Sequence, residues 1–320
     1  YLDQGKSDKA IFALRQLLAT SPDHADVCRW QADVARATLA LPGATLDAKA
    51  GEIARLAALW GALRTTTQLP ADARTDCHDD AAALTGELAR AWHSEGVKTK
   101  DPAMLAAADR LYGAYLAEFA DAAEAGETAY YRAELAWVRA DGERDPRRQT
   151  ARWQEAGAAF TAVVKAGRVS PALIKESADA AVRAWKNALD VDPRPRLAPA
   201  VTAAGTVSPP APIPDGERAL LGAMADYATS VKDPQDPERI GMTFLQAEVY
   251  RRFHHDAEAI PRYVALIERH PTHETAYYAA HQLLNLLVET GQTEQVVRWT
   301  GYFAAHPEFL TAGGDQDRGE

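Results

Sequence analysis

The side chains most able to do chemistry are few. Cys28 and Cys77 are the only cysteines. Apolar spacing places each about one turn into a helix, one starting near His24 and the other near Asp72. As the first helices of consecutive helical hairpins, these two run side by side in the same direction, with both thiols at the same height. A disulfide is then attainable, since its Cα atoms must come within ~4.4–6.8 Å. A bridge would imply an oxidising compartment; the other reading is two unlinked thiols buried in a cytosolic protein. Cys77-His78-Asp79-Asp80 has the residue types of a metal site. Consecutive helix positions point apart, however, and acids near a helix N-terminus serve the helix dipole. The histidines at 254, 255, 270, 273 and 281 have no second Cys/His pair to complete a ligand set. The expectation is no metal and no cofactor.

Catalytic signatures are missing too. There is no Gly-rich phosphate loop, no His-Glu-x-x-His and no Gly-x-Ser-x-Gly. Carboxylates read as scattered over helix surfaces beside basic residues, Glu268 by Arg269 and Asp109 by Arg110. The chain therefore reads as non-enzymatic, with no small-molecule substrate. An all-α toroid enzyme stays open as the alternative, because its acid pair would leave no sequence motif.

Composition narrows the partners. The net charge of −10 over 320 residues argues against nucleic acid, whose phosphates call for clustered Lys and Arg. The short basic run Arg144–Arg148 fits a solvated loop. Apolar residues make up 47% and charged residues 25%, ordinary for a folded globular chain. No run of ~18 apolar residues suggests membrane insertion. The first residue is Tyr1 rather than Met, which fits a trimmed or mature fragment and leaves a removed targeting segment open.

The elements that would position these residues are helices throughout. Ser7–Thr20 carries Ala10, Ile11, Leu14, Leu17 and Leu18 on one face, and Leu46–Arg64 carries Ile53, Leu56, Leu59, Trp60 and Leu63. Asp101-Pro102 opens another helix, Pro suiting the first turn, and Thr128–Arg139 pairs with it. Gln149–Ala166 and Pro171–Leu189 form a further hairpin, with Trp153, Phe160 and Val164 facing Ile174, Ala178, Val182 and Trp185. Val191–Asp215 then holds seven of the 18 prolines, which forbids regular helix and favours extended chain. It is the expected boundary between an N-terminal helical domain, 1–190, and a C-terminal one, 216–310, with a disordered tail at 311–320. No strand signal occurs, and the reading is all-α with about twelve helices.

The stretch Gly241–Pro307 shows how the helices combine. It reads as helix–turn–helix twice, closed by Pro271 and by Pro307, 36 residues apart, a period that marks a helical solenoid. Ala247 and Ala259 allow helix axes to approach, and Tyr250 and Tyr263 fill the space one turn on. This order resembles the tetratricopeptide repeat (TPR), with Thr243 where that repeat favours Trp. Gly5, Ala10, Leu14, Leu17 and Pro22 follow the same spacing. Glu127-Thr128-Ala129-Tyr130-Tyr131 recurs as Glu274-Thr275-Ala276-Tyr277-Tyr278, 147 residues on, which suggests two copies of one repeat type. The expected fold is a helix-hairpin solenoid, a TPR-like superhelix. In such a superhelix the first helix of each hairpin lines the inner face. By spacing those residues are Phe244, Glu248 and Arg251, then Tyr278, Gln282 and Asn285, a mix suited to capturing a peptide or helix.

The whole chain also resembles a deltaproteobacterial and myxobacterial family of envelope TPR proteins, some associated with gliding motility. The resemblance runs through Cys77-His78-Asp79-Asp80 to Trp92-His93, Leu111-Tyr112 to Phe119, Tyr130-Tyr131 with Ala133-Glu134-Leu135, Ala181 to Trp185-Lys186-Asn187-Ala188-Leu189, and Ala259-Ile260-Pro261 to His270-Pro271 with Trp299 beyond. The Pro-rich insert departs from it. The resemblance implies a non-catalytic scaffold, periplasmic or outer-membrane-associated, whose partners are other proteins of an envelope complex. A cytosolic regulatory solenoid is a second alternative.

Overall fold

The computed structural model describes residues 6–66, 69–191, 199–201, 208–307 and 309. Among them there are thirteen α-helices and no strand. Residues 1–5, read as the end of a helix, and the tail at 311–320, expected to be disordered, lie outside the described residues. The chain divides by packing into two units, Tyr1–Ser177 and Ala178–Glu320.

The first unit contains α1 (Ser7–Thr20), α2 (Val27–Ala40), α3 (Leu46–Leu63), α4 (Ala71–Thr99), α5 (Pro102–Glu118), α6 (Ala125–Asp141), α7 (Pro146–Ala166) and the start of α8 (Pro171–Ala188). From α1 to α7 each helix packs on the next, and α2 with α4, α3 with α5 and α4 with α6 pack as well. Neighbour and next-neighbour packing together is the pattern of stacked hairpins, the helix-hairpin solenoid arrangement expected. Fully buried Ala32, Ala35, Ala57, Ala81, Ala89, Ala107 and Ala108 stand where helices cross, and Leu111, Tyr112 and Tyr115 fill the space around them.

The second unit contains the rest of α8, then α9 (Asp215–Ser230), α10 (Pro237–Arg252), α11 (Asp256–Arg269), α12 (Glu274–Glu289) and α13 (Thr293–Ala305). α9 packs on α10, α10 on α11, α11 on α12 and α12 on α13, with α10 also against α12. Phe244, Ala247, Ala259, Tyr263, Leu266, Leu283 and Trp299 share one core. The division of the chain falls inside α8, upstream of the Pro-rich insert. The insert's described residues join the second unit, because their backbone bonds to α12 and to the α10–α11 turn.

Local chemistry sets the boundaries. Asp101, Asp145 and Asp236 each accept a hydrogen bond from a first-turn amide, and each precedes a proline at the helix start. Sequence spacing places helix starts at Asp101-Pro102, Gln149 and Gly241. The same Asp-Pro pair starts the last two a turn earlier, at Pro146 and Pro237. Hairpin pairing also differs from expectation. α6 pairs with α7 through Trp137 edge-on to Trp153, ring centroids 4.7 Å apart, and through Tyr130 and Trp137 against Phe160. Trp153 and Phe160 are therefore turned toward α6.

The repeated pentapeptide is not in equivalent settings. It opens α12 at Glu274 but lies two residues inside α6. The two copies bury different tyrosines, Tyr130 in the first and Tyr278, one motif position later, in the second.

Cys28 on α2 and Cys77 on α4 form a disulfide, with Cα atoms 5.4 Å apart. Both are buried among Val27, Leu63 and Leu69, as adjacent first helices of consecutive hairpins would place them.

One carboxylate is not on the surface. Glu52 of α3 is buried, its side chain 3% exposed. It accepts hydrogen bonds from Arg15 of α1, from Gln31 of α2 at 3.0 Å and from Arg55 at 3.1 Å. Burial pushes its pKa up, but the hydrogen bonds from Arg55, Gln31 and Arg15 outweigh this and hold it at about 2. A depressed carboxyl stabilises the fold above its unfolded pKa, and that contribution is lost as pH falls through the folded value. Both arginines are more than half exposed, so the pair is partly screened. Glu52→Gln is expected to cost about 1–3 kcal/mol at neutral pH by denaturant unfolding. It is also expected to flatten the loss of stability between pH 4.5 and about 2; an unchanged acid limb would refute this account.

Candidate functional site

The six residues expected to line an inner face lie on α10 and α12, and the structure brings them together, though not all in contact with solvent. Phe244 and Tyr278 are buried in the core of the second unit, rings 6.5 Å apart, and Phe244 also meets Tyr263 at 6.0 Å. The expectation of an open aromatic pair is corrected here. α10 and α12 pack directly on each other, so a face drawn as solvent-lined is partly a helix–helix interface.

Glu248 and Arg251 form an internal brace. Arg251 donates to Glu248 at 3.2 Å, and the Tyr263 hydroxyl donates to the same carboxylate. Tyr263 is fully buried, and burial, with the Glu248 charge beside it, pushes its phenol far up. This brace ties α10 to α11.

Gln282 and Asn285 are different. They lie three positions apart on α12, one turn along the same face, and are 2% and 9% exposed. Among the described residues, the partners of the Asn285 side chain lie outside the helices. Its Oδ1 accepts the backbone N–H of Val201 at 3.0 Å, and its Nδ2 donates to the carbonyl of Pro199 at 3.3 Å. A carboxamide carries an acceptor and donors side by side. A C=O and the N–H two residues later point to the same side of an extended chain. The Asn285 carboxamide thus bonds two main-chain groups of the insert, the C=O of Pro199 and the N–H of Val201. Gln282 Oε1 is buried with no hydrogen-bond partner among the described residues.

A second anchor holds the same insert. The N–H of Ala211 donates to the carbonyl of Phe253 at 2.9 Å, and His255 Nε2 lies 2.8 Å from the carbonyl of Ala211. Both anchoring groups come from the α10–α11 turn, where His254 has φ +59°. All four insert groups involved, at Pro199, Val201 and Ala211, are backbone. Only residue spacing on α12 hinted at this site; nothing in the sequence marked the insert as its occupant.

The acid-base candidates are braces as well. The hydroxyl of Tyr130 lies 2.8 Å from Glu176 and 3.2 Å from Glu134, and burial raises the Glu134 pKa. Asp109 pairs with Arg132 and Arg139 rather than Arg110, and Arg110 reaches Asp47, because adjacent helix positions diverge. His78 lies edge-on to Trp60 and Phe119 and within 2.8 Å of Asp79, and Asp80 pairs with Arg36. Among the described residues no three His, Cys, Asp or Glu side chains are grouped to hold a metal ion, and no helix is long and apolar enough to cross a membrane.

No protein-family model matches the chain, and no curated protein matches it either.

The brace predicts a measurable cost. Tyr263→Phe removes a buried donor to Glu248 and is expected to lower unfolding stability by about 1–3 kcal/mol, read by chemical denaturation. A change within a few tenths would show that Glu248 is satisfied without it.

Proposed function

We propose that this chain is a non-catalytic, TPR-like protein–protein interaction scaffold of the bacterial cell envelope, periplasmic or outer-membrane-associated, whose second unit holds extended segments of partner proteins. The observation that carries the reading is the Asn285 carboxamide bonded to main chain outside any helix through both its acceptor and its donor. A surface that already binds backbone in this way is chemically equipped to bind a peptide. The disulfide supports the compartment, because such bonds persist where glutathione and thioredoxin do not reduce them. The resemblance to envelope TPR proteins adds a gliding-motility machine as the setting to examine first.

Two experiments test this. In protein prepared without reductant from its native host, thiol titration before and after reduction is expected to find none and then two free thiols. Reduction is expected to cost about 4 kcal/mol of stability for a bridge enclosing 49 residues. Two free thiols at the outset would argue for the cytosol. Separately, a photo-crosslinking residue at His281, an exposed neighbour of Gln282 on α12, is expected to trap discrete envelope proteins in intact cells. Absence of any adduct, with the protein at native levels, would overturn the scaffold reading for this face.

A further inference from the structure

The binding of the insert itself carries an inference that deepens, and rests on, the peptide-capture reading. The insert is held as a ligand would be. Its contacts to Asn285, Phe253 and His255 are all made by backbone groups of Pro199, Val201 and Ala211. Pro199 and Ala200 are exposed although the Pro199 carbonyl is bonded. A segment kept only to stabilise the fold would be expected to bury side chains. Among its described residues this one is bonded through main chain, with Pro199 and Ala200 exposed and Val201 and Ala211 only half-buried.

We propose that Asn285 is a backbone-reading clamp, that the chain's own Pro-rich insert is its resident occupant, and that the clamp's partner is an extended, proline-containing segment of another protein, which must displace the insert. The chemistry sets the ligand rules. Proline has no N–H, so it is accepted where Pro199 stands, a position read through its carbonyl. It is excluded where Val201 stands, a position read through its N–H. Proline elsewhere keeps the segment extended before binding and reduces the ordering entropy that capture costs. Gln282 Oε1, buried one turn away on the same helix without a partner, is an acceptor the insert leaves unused. A partner with a further N–H in register could engage it, and so has one bond more than the insert.

A tethered occupant competes at an effective concentration on the order of millimolar. With an intrinsic affinity of ~100 µM for the insert itself, that suppresses apparent binding of any free peptide about tenfold, the usual penalty when only a fraction of the protein is competent.

The test uses the full chain and a variant with residues 199–211 replaced by Gly and Ser at equal length, both checked for helicity and thermal unfolding. The probe is a fluorescent synthetic peptide of residues 191–215. The replaced variant is expected to bind it at least tenfold more tightly than the unaltered chain. Asn285→Ala in the replaced variant, or Val201→Pro in the peptide, is expected to weaken binding about tenfold, from a lost bond and a stranded polar group. Pro199→Ala in the peptide is expected to change binding less than threefold.

Equal binding to both proteins would overturn the resident occupant while leaving peptide capture intact. Binding indifferent to Asn285→Ala and to Val201→Pro would overturn the clamp. Peptide binding to neither protein would also overturn it, whereas partner adducts at His281 report on the scaffold reading independently. Should the replaced variant fail to fold, amide exchange in the unaltered chain decides. Asn285→Ala is expected to speed exchange at Val201 at least tenfold, and unchanged exchange would refute the contact.

Discussion

The close approach of neighbouring helices is the constraint from which the rest follows. No hairpin in this chain can bury its apolar face alone, so each must press against the next, and the backbones must come near enough for the core to be continuous. Alanines with no exposed surface supply that approach in both units, among them Ala57, Ala89, Ala108, Ala247 and Ala259. Gly96 and Gly126 go further. A methyl group at Gly96 would lie 2.9 Å from Leu105, and one at Gly126 would collide with the carbonyl of Arg168. Where the small residues leave room, Tyr112, Tyr115 and Tyr263 fill it.

Close packing leaves little water for polar groups, and most of those drawn inside are braced between helices. Glu52 gathers donors from α1, α2 and its own helix. Glu248 is shared by Arg251 and Tyr263, and Tyr130 stands between Glu134 and Glu176. Each network satisfies a group whose charge or dipole would be costly unpaired. Asn285 breaks this pattern, because what satisfies it is backbone outside any helix. Exposure does not draw this contrast, since Glu52, Tyr130, Tyr263 and Asn285 are all buried; the nature of the partner does.

The disulfide belongs to the same geometry. Stacked hairpins place their first helices side by side, and two cysteines one turn into adjacent first helices meet. The bond crosslinks α2 to α4, neighbours already joined by packing. It restricts the unfolded chain and changes little in the folded one.

Much of this was legible in the sequence, because helix periodicity, prolines and small–aromatic spacing are local signals. They determined the all-α class, the helix limits at Asp101-Pro102 and Pro271, and put Cys28 and Cys77 within reach of each other. They also singled out Gln282 and Asn285 on one face of α12. Spacing on a single helix cannot say what stands opposite. Only the tertiary structure placed Phe244 and Tyr278 in a shared core, turned Glu248 toward Tyr263, buried Glu52, and laid the backbone of Pro199 and Val201 on Asn285, some 85 residues away. These depend on which helix or loop packs against a given face. That is fixed by the sum of apolar burial over many distant residues, and no short window of sequence contains it.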